Sequence, residues 1–282
     1  MKDDQVLEAL LAEWLDRDPG TDVEEFIAAH REHEALIREH FALEGLAAHA
    51  FTPRPALPEV LGPFRIEKEL GSGGMGTVYR AVVSEPLRGI ATGKTVALKV
   101  VHPHLLERQG GFKRFLREAD LGGRVRHPNV VHTYDVDARY QDGEHYHFIV
   151  MEYVQGQTLR SLLRELGRLP EELARRIAIE ITRGLEGVHA TGIVHRDLKP
   201  ENVLITEDEK VKIMDLGVSR LVEESIRLSS SGQFVGSMQY AAPEQFTNAD
   251  AIDGRTDLYA LGCVLYELMI GKRPFRNADP MS

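Results

Sequence analysis

The sequence predicts an α+β chain, in which a small β-rich half precedes a larger helical half and a cleft lies between them. Three observations carry this. FRIEKEL (64–70), TVYRAVV (77–83), KTVALKVV (94–101) and HFIVMEYV (147–154) alternate or are rich in β-branched residues, with Gly and Pro between them. Residues 159–166, 171–190 and 257–270 instead repeat apolar positions at helical spacing, as does the shorter segment 112–124. The third is a change of character near residue 50, where Pro53, Pro55, Pro58 and Pro63 mark an extended linker.

Ahead of that linker, Val6, Leu7, Leu10, Leu11 and Trp14 share one helical face, and Asp18-Pro19-Gly20 breaks the helix. Thr21 with Glu24 forms a capping box that opens a second helix through about Ala48, with Val23, Phe26, Ile27, Leu36, Ile37 and Phe41 on its apolar side. The expected divisions are a helical hairpin over 1–50, a linker over 51–63 and one main domain over 64–282. That domain divides into a β-rich lobe over about 64–153 and a helical lobe over about 154–282. The hairpin is a surface for a partner or for packing on the main domain. His30, His33 and His40 fit no metal-ligand spacing and read as solvated helix-face residues.

The bulk numbers exclude several classes. The 282 residues carry 34 Lys plus Arg against 44 Asp plus Glu, a net charge of −10, with no dense basic run; nucleic acid is not an expected partner. Cys263 is the single cysteine, so no intrachain disulfide forms and a reducing, cytoplasmic setting is expected. No apolar run approaches the roughly 18 residues of a membrane span, and the acidic N-terminus lacks a signal-peptide core.

The chemistry concentrates in VHRDLKPENVL (194–204). Asp197, Lys199 and Asn202 sit between the apolar flanks Ile193–Val194 and Val203–Ile205, which read as short buried strands holding a polar loop. An acid, a cation and an amide aimed at one point suit a polyanion held by a metal. ELGSGGMGTVYRA supplies Gly71-x-Gly73-x-x-Gly76, and the residues after it read as a strand, not the helix a dinucleotide fold requires. A glycine hairpin between strands lets backbone N–H groups close over phosphates. Lys99, in VALKVV, is either a snorkelling surface lysine or, in the company of the glycine hairpin, a cation for phosphate; Glu118 is one of several helix carboxylates and matters only if it orients Lys99. Asp215, at the end of KIMD, joins Asn202 as a hard oxygen ligand suited to Mg²⁺.

With GSGGMGTV, VALK, HRDLKPEN, DLG and AAPE in this order, the chain resembles the eukaryotic-type protein Ser/Thr kinases, and their bacterial members most of all, from about Phe64 to Phe275. The resemblance implies a bilobal kinase fold that transfers the γ-phosphoryl of ATP to Ser/Thr hydroxyls of protein substrates, with Mg²⁺. It implies that Leu70, Gly71, Ser72, Gly73, Gly74, Met75, Gly76, Thr77 and Val78 cover the phosphates and that Lys99, paired with Glu118, contacts them. Val78, Ala97 and Leu204 would sandwich adenine, Met151 would guard the back of the pocket, and the backbone of Glu152 and Val154 would bond the base. Asp197 would take or orient the hydroxyl proton and Lys199 would neutralise the γ-phosphoryl, while Asn202 and Asp215 would hold Mg²⁺. Lys199 and Ser237 are the Ser/Thr-type choices. Arg196 and Arg220 would receive phosphate placed on Ser229 or Ser231 by autophosphorylation.

Three departures stand against the family pattern: Leu216 for the usual Phe, Gly122 where a larger residue would link helix to sheet, and an end at Ser282. The helical lobe is therefore expected to be incomplete, and residues 1–282 alone only marginally stable and weakly active or inactive. The alternatives are a nucleotide-binding pseudokinase or interaction module and, more remotely, a small-molecule kinase, which would lack the AAPE segment.

Overall fold

The computed structural model describes Leu10 and residues 23–35, 37, 57–73, 76–87, 89–103, 106, 115–116, 122–216, 239–247 and 252–275. Apart from Leu10, which is helical, the first predicted helix and its Asp-Pro-Gly break lie outside these residues, as does most of the 112–124 helix, although 115, 116 and 122–124 are helical. Of the second predicted helix, α1 (Val23–Ala29) forms, and Phe26, Ile27 and Ile37 are buried. It does not run on regularly. His30 N–H bonds back only three residues to Ile27, the His30 ring sits on the Phe26 carbonyl at 3.0 Å, and a 3-10 turn follows at Arg31–His33. A side chain that competes for the helix's own carbonyl, with i→i−3 bonding beside it, tightens the turn there.

The β-rich half is one antiparallel sheet in the order β1-β2-β3-β4-β6-β5, built from β1 (Val60–Leu61), β2 (Phe64–Gly73), β3 (Gly76–Val83), β4 (Thr95–Val101), β5 (Thr133–Gln141) and β6 (Glu144–Glu152). β5 is a strand that the sequence pattern does not announce, because TYDVDARYQ is polar and only partly buried. Period-two alternation sorts the central strands onto two faces. Val96, Leu98, Phe148 and Val150 pack with Leu61 and Phe64 on one face. Ala97, Val101, Ile149 and Met151 pack with Phe115 and Val131 on the other. Lys99 falls in step with Ala97 and Val101, so it is carried to that second face, where it is 4% exposed.

The helical half follows as α2 (Leu159–Leu166), α3 (Glu171–His189), α4 (Pro243–Thr247) and α5 (Gly254–Ile270). A small sheet, β7 (Gly156–Thr158), β8 (Val203–Thr206) and β9 (Val211–Ile213), lies with them. Thr158 caps α2 by accepting from Ser161 N–H, and Gly167 and Gly271 end α2 and α5 with positive φ, as helix C-termini favour. Ile177, Ile181, Leu185 and Val188 form one stripe of α3 and pack with Val203, Ile213, Val264 and Leu268. Val203–Ile205 is a strand as expected, but Ile193 and Val194 are not. The backbone that follows them is held by a side chain instead, as described below. α5, apolar on nearly every side in sequence, buries Ala260, Cys263, Val264 and Leu268 and exposes Leu258, Tyr266, Met269 and Ile270.

α3 approaches β9 closely because Gly184 has no side chain. A Cβ there would lie 2.6 Å from Ile213 Cδ1 and 2.9 Å from the Asn129 carbonyl oxygen. The side chain can give, but the carbonyl is fixed, since Ile213 N–H donates to it at 2.8 Å. Gly184→Ala is expected to cost about 1–3 kcal/mol by overpacking, measured as a lower denaturant midpoint with unchanged slope. The position next to it in the stripe is already filled by Leu185, so no compensating burial offsets the clash.

Candidate active site

The β2–β3 hairpin closes at the Gly73–Gly76 pair, with Ser72 opposite Thr77 and Gly71 opposite Val78, and bulges where β2 meets β3 between Ile66/Lys68 and Glu69/Gly71. Bulges increase twist and bend a ribbon, so the tip is aimed independently of the sheet behind it. Ser72 and Thr77 hydroxyls bond across it at 3.0 Å. Gly76 is required sterically as well, since a Cβ would stand 2.2 Å from the Val100 carbonyl oxygen of β4. Leu70 is exposed at the edge of this hairpin, whereas Gly74 and Met75 lie outside the described residues.

Beneath the hairpin, Ala97 and Met151 belong to one apolar cluster with Val78, Val154 and Leu204 packed against it. Those five residues come from β3, β4, β6, the segment after β6, and β8 of the other sheet, so the cluster joins the two halves of the chain. Glu152, between Met151 and Val154, is fixed by Lys212 at 3.0 Å and by the His132 N–H at 3.2 Å. Lys212 stands on β9, three residues before Asp215, so one ion pair ties the strand leading to Asp215 to the end of β6.

Lys99 and Asp215 meet at 2.7 Å, with side chains 5% and 18% exposed. Burial would raise the Asp215 pKa, but the Lys99 charge and hydrogen bond, with Lys199 and His195 behind them, outweigh it and hold the carboxyl below its usual value. The proposed pairing of Lys99 with Glu118 falls outside the described residues. Asp215 has φ 63° and Arg196 φ 67°, a left-handed region that ordinary side chains enter at a cost and that clusters at functional sites.

Asp197, Lys199 and Asn202 converge. Lys199 Nζ lies 2.9 Å from Asp197 Oδ2, and Asn202 Nδ2 donates to the Asp197 carbonyl at 2.8 Å and to Asp197 Oδ2 at 2.9 Å. A 3-10 turn at Pro200–Asn202 brings them round, and Met214 N–H donates to the Asn202 carbonyl at 3.0 Å. With its amide hydrogens turned to Asp197, Asn202 keeps its side-chain oxygen for another partner. Among the described residues no group of three or more His, Cys, Asp or Glu could hold a metal alone. One carboxylate and one amide oxygen fit a hard cation that takes its other ligands from water and phosphate. Asn202 and Asp215 therefore suit a divalent ion carried in with a nucleotide.

Two residues that the sequence reading passed over hold this loop. His195 is fully buried; its Nε2 donates to the Met214 carbonyl at 3.0 Å, and its Nδ1 accepts from Asp197 N–H at 3.3 Å. Asp257, on α5 and 1% exposed, accepts from His195 N–H at 2.8 Å, Arg196 N–H at 2.7 Å and His189 Nε2 at 2.7 Å. The amides that follow Ile193–Val194 thus go to a carboxylate and not to a strand ladder. An acid in the first turn of a largely apolar helix was the available signal for Asp257. Gln245 of α4 donates to the Arg196 carbonyl at 2.9 Å. Arg220, Ser229, Ser231 and Ser237 lie outside the described residues. Gly122 stands where a Cβ would be 3.2 Å from Thr133 Oγ1, a close approach of its helix to β5.

A curled antiparallel sheet over a helical half, with polar groups from both meeting between them, defines the bilobal kinase architecture. The protein kinase domain model matches residues 64–282, and the chain belongs to that family. It is 36% identical over 225 residues to the serine/threonine-protein kinase PknB of Mycobacterium leprae, covering 80% of this chain and 35% of that protein. It is also 36% identical over 233 residues to a serine/threonine-protein kinase PknA of Corynebacterium glutamicum, covering 82% of this chain and 48% of that one. The chain thus spans about a third to a half of the length of the curated relatives it matches. Members of the family use ATP and a divalent metal. Among the described residues no helix is long and apolar enough to cross a membrane.

Proposed function

We propose that the chain transfers the γ-phosphoryl group of ATP to serine and threonine hydroxyls of protein substrates, in the cytoplasm. The observation that carries this reading is the meeting of Lys99 with Asp215 at 2.7 Å beside the Asp197–Lys199–Asn202 turn. Adenine would enter the apolar cluster of Val78, Ala97, Met151, Val154 and Leu204, with backbone groups of Glu152 and Val154 at its polar edge. The β2–β3 hairpin would close its N–H groups over the phosphates, and Lys99 would neutralise them, relayed or oriented by Glu118. Asn202 and Asp215 would hold Mg²⁺, which supplies charge neutralisation on the phosphate oxygens. Asp197 would orient the acceptor hydroxyl and take its proton as the oxygen bonds to the γ-phosphorus and the bond to ADP breaks. Lys199 would compensate the charge on the moving group. No covalent bond to the protein is needed, and positioning with charge stabilisation carries the rate.

The names of the relatives support serine/threonine acceptors, as do Lys199 and Ser237. Incubation with radiolabelled ATP, dephosphorylated casein and Mg²⁺ tests the reading. Label in casein or in the chain, abolished by EDTA and restored by Mg²⁺, is the expected result; nucleotide binding without transfer would replace this reading with a binding module.

Autophosphorylation is expected on Ser229 or Ser231, with Arg196 and Arg220 receiving the phosphate, whose charge of roughly −2 suits an arginine pair. Peptide mapping after Mg-ATP incubation checks it, and phosphate found only outside residues 217–237 would count against it.

A further inference from the structure

Arg160 is a cation placed where a helix disfavours one. It stands in the first turn of α2, near the unpaired N–H groups that make a helix N-terminus partly positive, yet it is only 8% exposed. Its guanidinium compensates by dividing itself. Nε donates to Glu201 Oε1 at 2.8 Å, and Nη1 donates to Glu267 Oε1 at 2.8 Å. Nη2 donates to the Tyr240 hydroxyl at 2.5 Å and to Glu267 Oε2 at 3.3 Å. Burial alone would lower the Arg160 pKa, but the hydrogen bond to Glu267 and the carboxylate of Glu201 raise it above the ordinary arginine value.

The partners come from three other places. Glu201 lies in the 3-10 turn between Lys199 and Asn202. Glu267 is on α5. Tyr240 belongs to the short segment before α4, and its hydroxyl also donates to Glu267 Oε2. Arg273 closes the arrangement from beyond α5: Nε is 3.6 Å from Glu267 Oε1, and Nη1 donates to Gln239 Oε1. Two arginines thus balance two glutamates, and Gln239 and Tyr240 are seated on that cluster. Glu201 Oε2 is buried without a hydrogen-bond partner among the described residues, so the carboxylate's place depends on Arg160. Among those residues Tyr240 makes no hydrogen bond to the 195–202 loop itself; its route there runs through Arg160.

We propose that Arg160 is a positioning residue that couples the seating of Gln239–Tyr240 to the Asp197–Asn202 turn through Glu201. The inference rests on the phosphotransfer reading for its kinetic consequence and on geometry alone for its structural one. A planar fork serving three acceptors is what lysine cannot reproduce, so Arg160→Lys keeps the charge and breaks the coupling.

The test uses the full chain with Arg160→Lys, Glu201→Gln, Tyr240→Phe, the Arg160→Lys/Glu201→Gln double variant and Asp197→Asn. Two measurements are made: kcat and KM for ATP, and amide hydrogen exchange of 196–204 against 177–188 in α3. Arg160→Lys is expected to lower kcat ten- to a hundredfold with KM for ATP within about twofold, and the double variant to be no worse. Tyr240→Phe, which removes one distant hydroxyl, is expected to speed exchange in 196–204 at least fivefold and to leave α3 unchanged. Exchange within twofold of the parent in both Arg160→Lys and Tyr240→Phe would overturn the proposal, and so would equal acceleration in α3, which marks general loosening. Should Arg160→Lys not fold, Tyr240→Phe and Glu201→Gln decide by the same criteria. An Asp197→Asn chain as active as the parent would sink the phosphotransfer reading while leaving the exchange result to judge the coupling.

Discussion

Asp197→Asn is expected to lower phosphotransfer by a factor on the order of 10²–10⁴ while nucleotide affinity stays within about threefold. The asparagine is nearly the same size, and Asp197 Oδ2 already receives Lys199 at 2.9 Å and the Asn202 amide at 2.9 Å. The amide removes the negative charge that balances Lys199 and the basic carboxylate oxygen that would receive the hydroxyl proton. The proposed nucleotide contacts lie elsewhere, in Lys99, Asp215 and the apolar cluster around Ala97, which is why binding and turnover should separate. Steady-state turnover and ATP titration on the same sample check this. A variant within threefold of the parent in turnover would remove Asp197 from the role given to it.

Asp257→Ala is expected to be the most destabilising single change at the loop, by roughly 3–5 kcal/mol. Asp257 is 1% exposed, and its carboxylate is the acceptor for His195 N–H, Arg196 N–H and His189 Nε2. Alanine leaves the buried His195 amide and, less fully buried, the Arg196 amide and the His189 ring without this acceptor, and a buried unsatisfied group costs about 1–3 kcal/mol. The carboxylate also sits in the first turn of α5, where the helix end favours negative charge. The loss is a large part of the 5–15 kcal/mol of a typical domain, and for a chain of this size it corresponds to a fall in melting temperature of roughly 6–20 °C. Arg196 is held at φ 67° beside this carboxylate, so the strained backbone before Asp197 should relax as well, and turnover should fall even in the folded fraction. Thermal melting of Asp257→Ala beside the parent measures it; a shift under about 2 °C would show that Gln245 and the His195 ring hold the loop unaided.

Local pattern was enough to reveal much of this protein. Strands β2, β3, β4 and β6 are alternating or β-branched runs, and their period of two carries Lys99 to the face of Ala97 and Val101 whatever the sheet does around it. Helices α2, α3 and α5 follow from their apolar pattern, and the structure ends α2 and α5 at Gly167 and Gly271. The glycine hairpin and the Asp197–Asn202 turn were legible because their chemistry is packed into a few consecutive residues. What needed the tertiary structure was every choice between distant partners. β5 pairs beyond β6 although its own residues are polar, because a strand at the rim of a sheet need bury little. Lys99 reaches Asp215 only when the folded chain brings the residues after β9 against β4, as the Lys212–Glu152 pair also requires at the end of β6. The His195 and Arg196 amides find Asp257, 62 and 61 residues further on, since a buried donor takes whichever acceptor the packing brings it. Arg160, unremarkable in LRSLLREL, becomes the junction of Glu201, Tyr240 and Glu267 for the same reason: local sequence fixes which groups are polar, but only the packed chain decides which of them must satisfy one another.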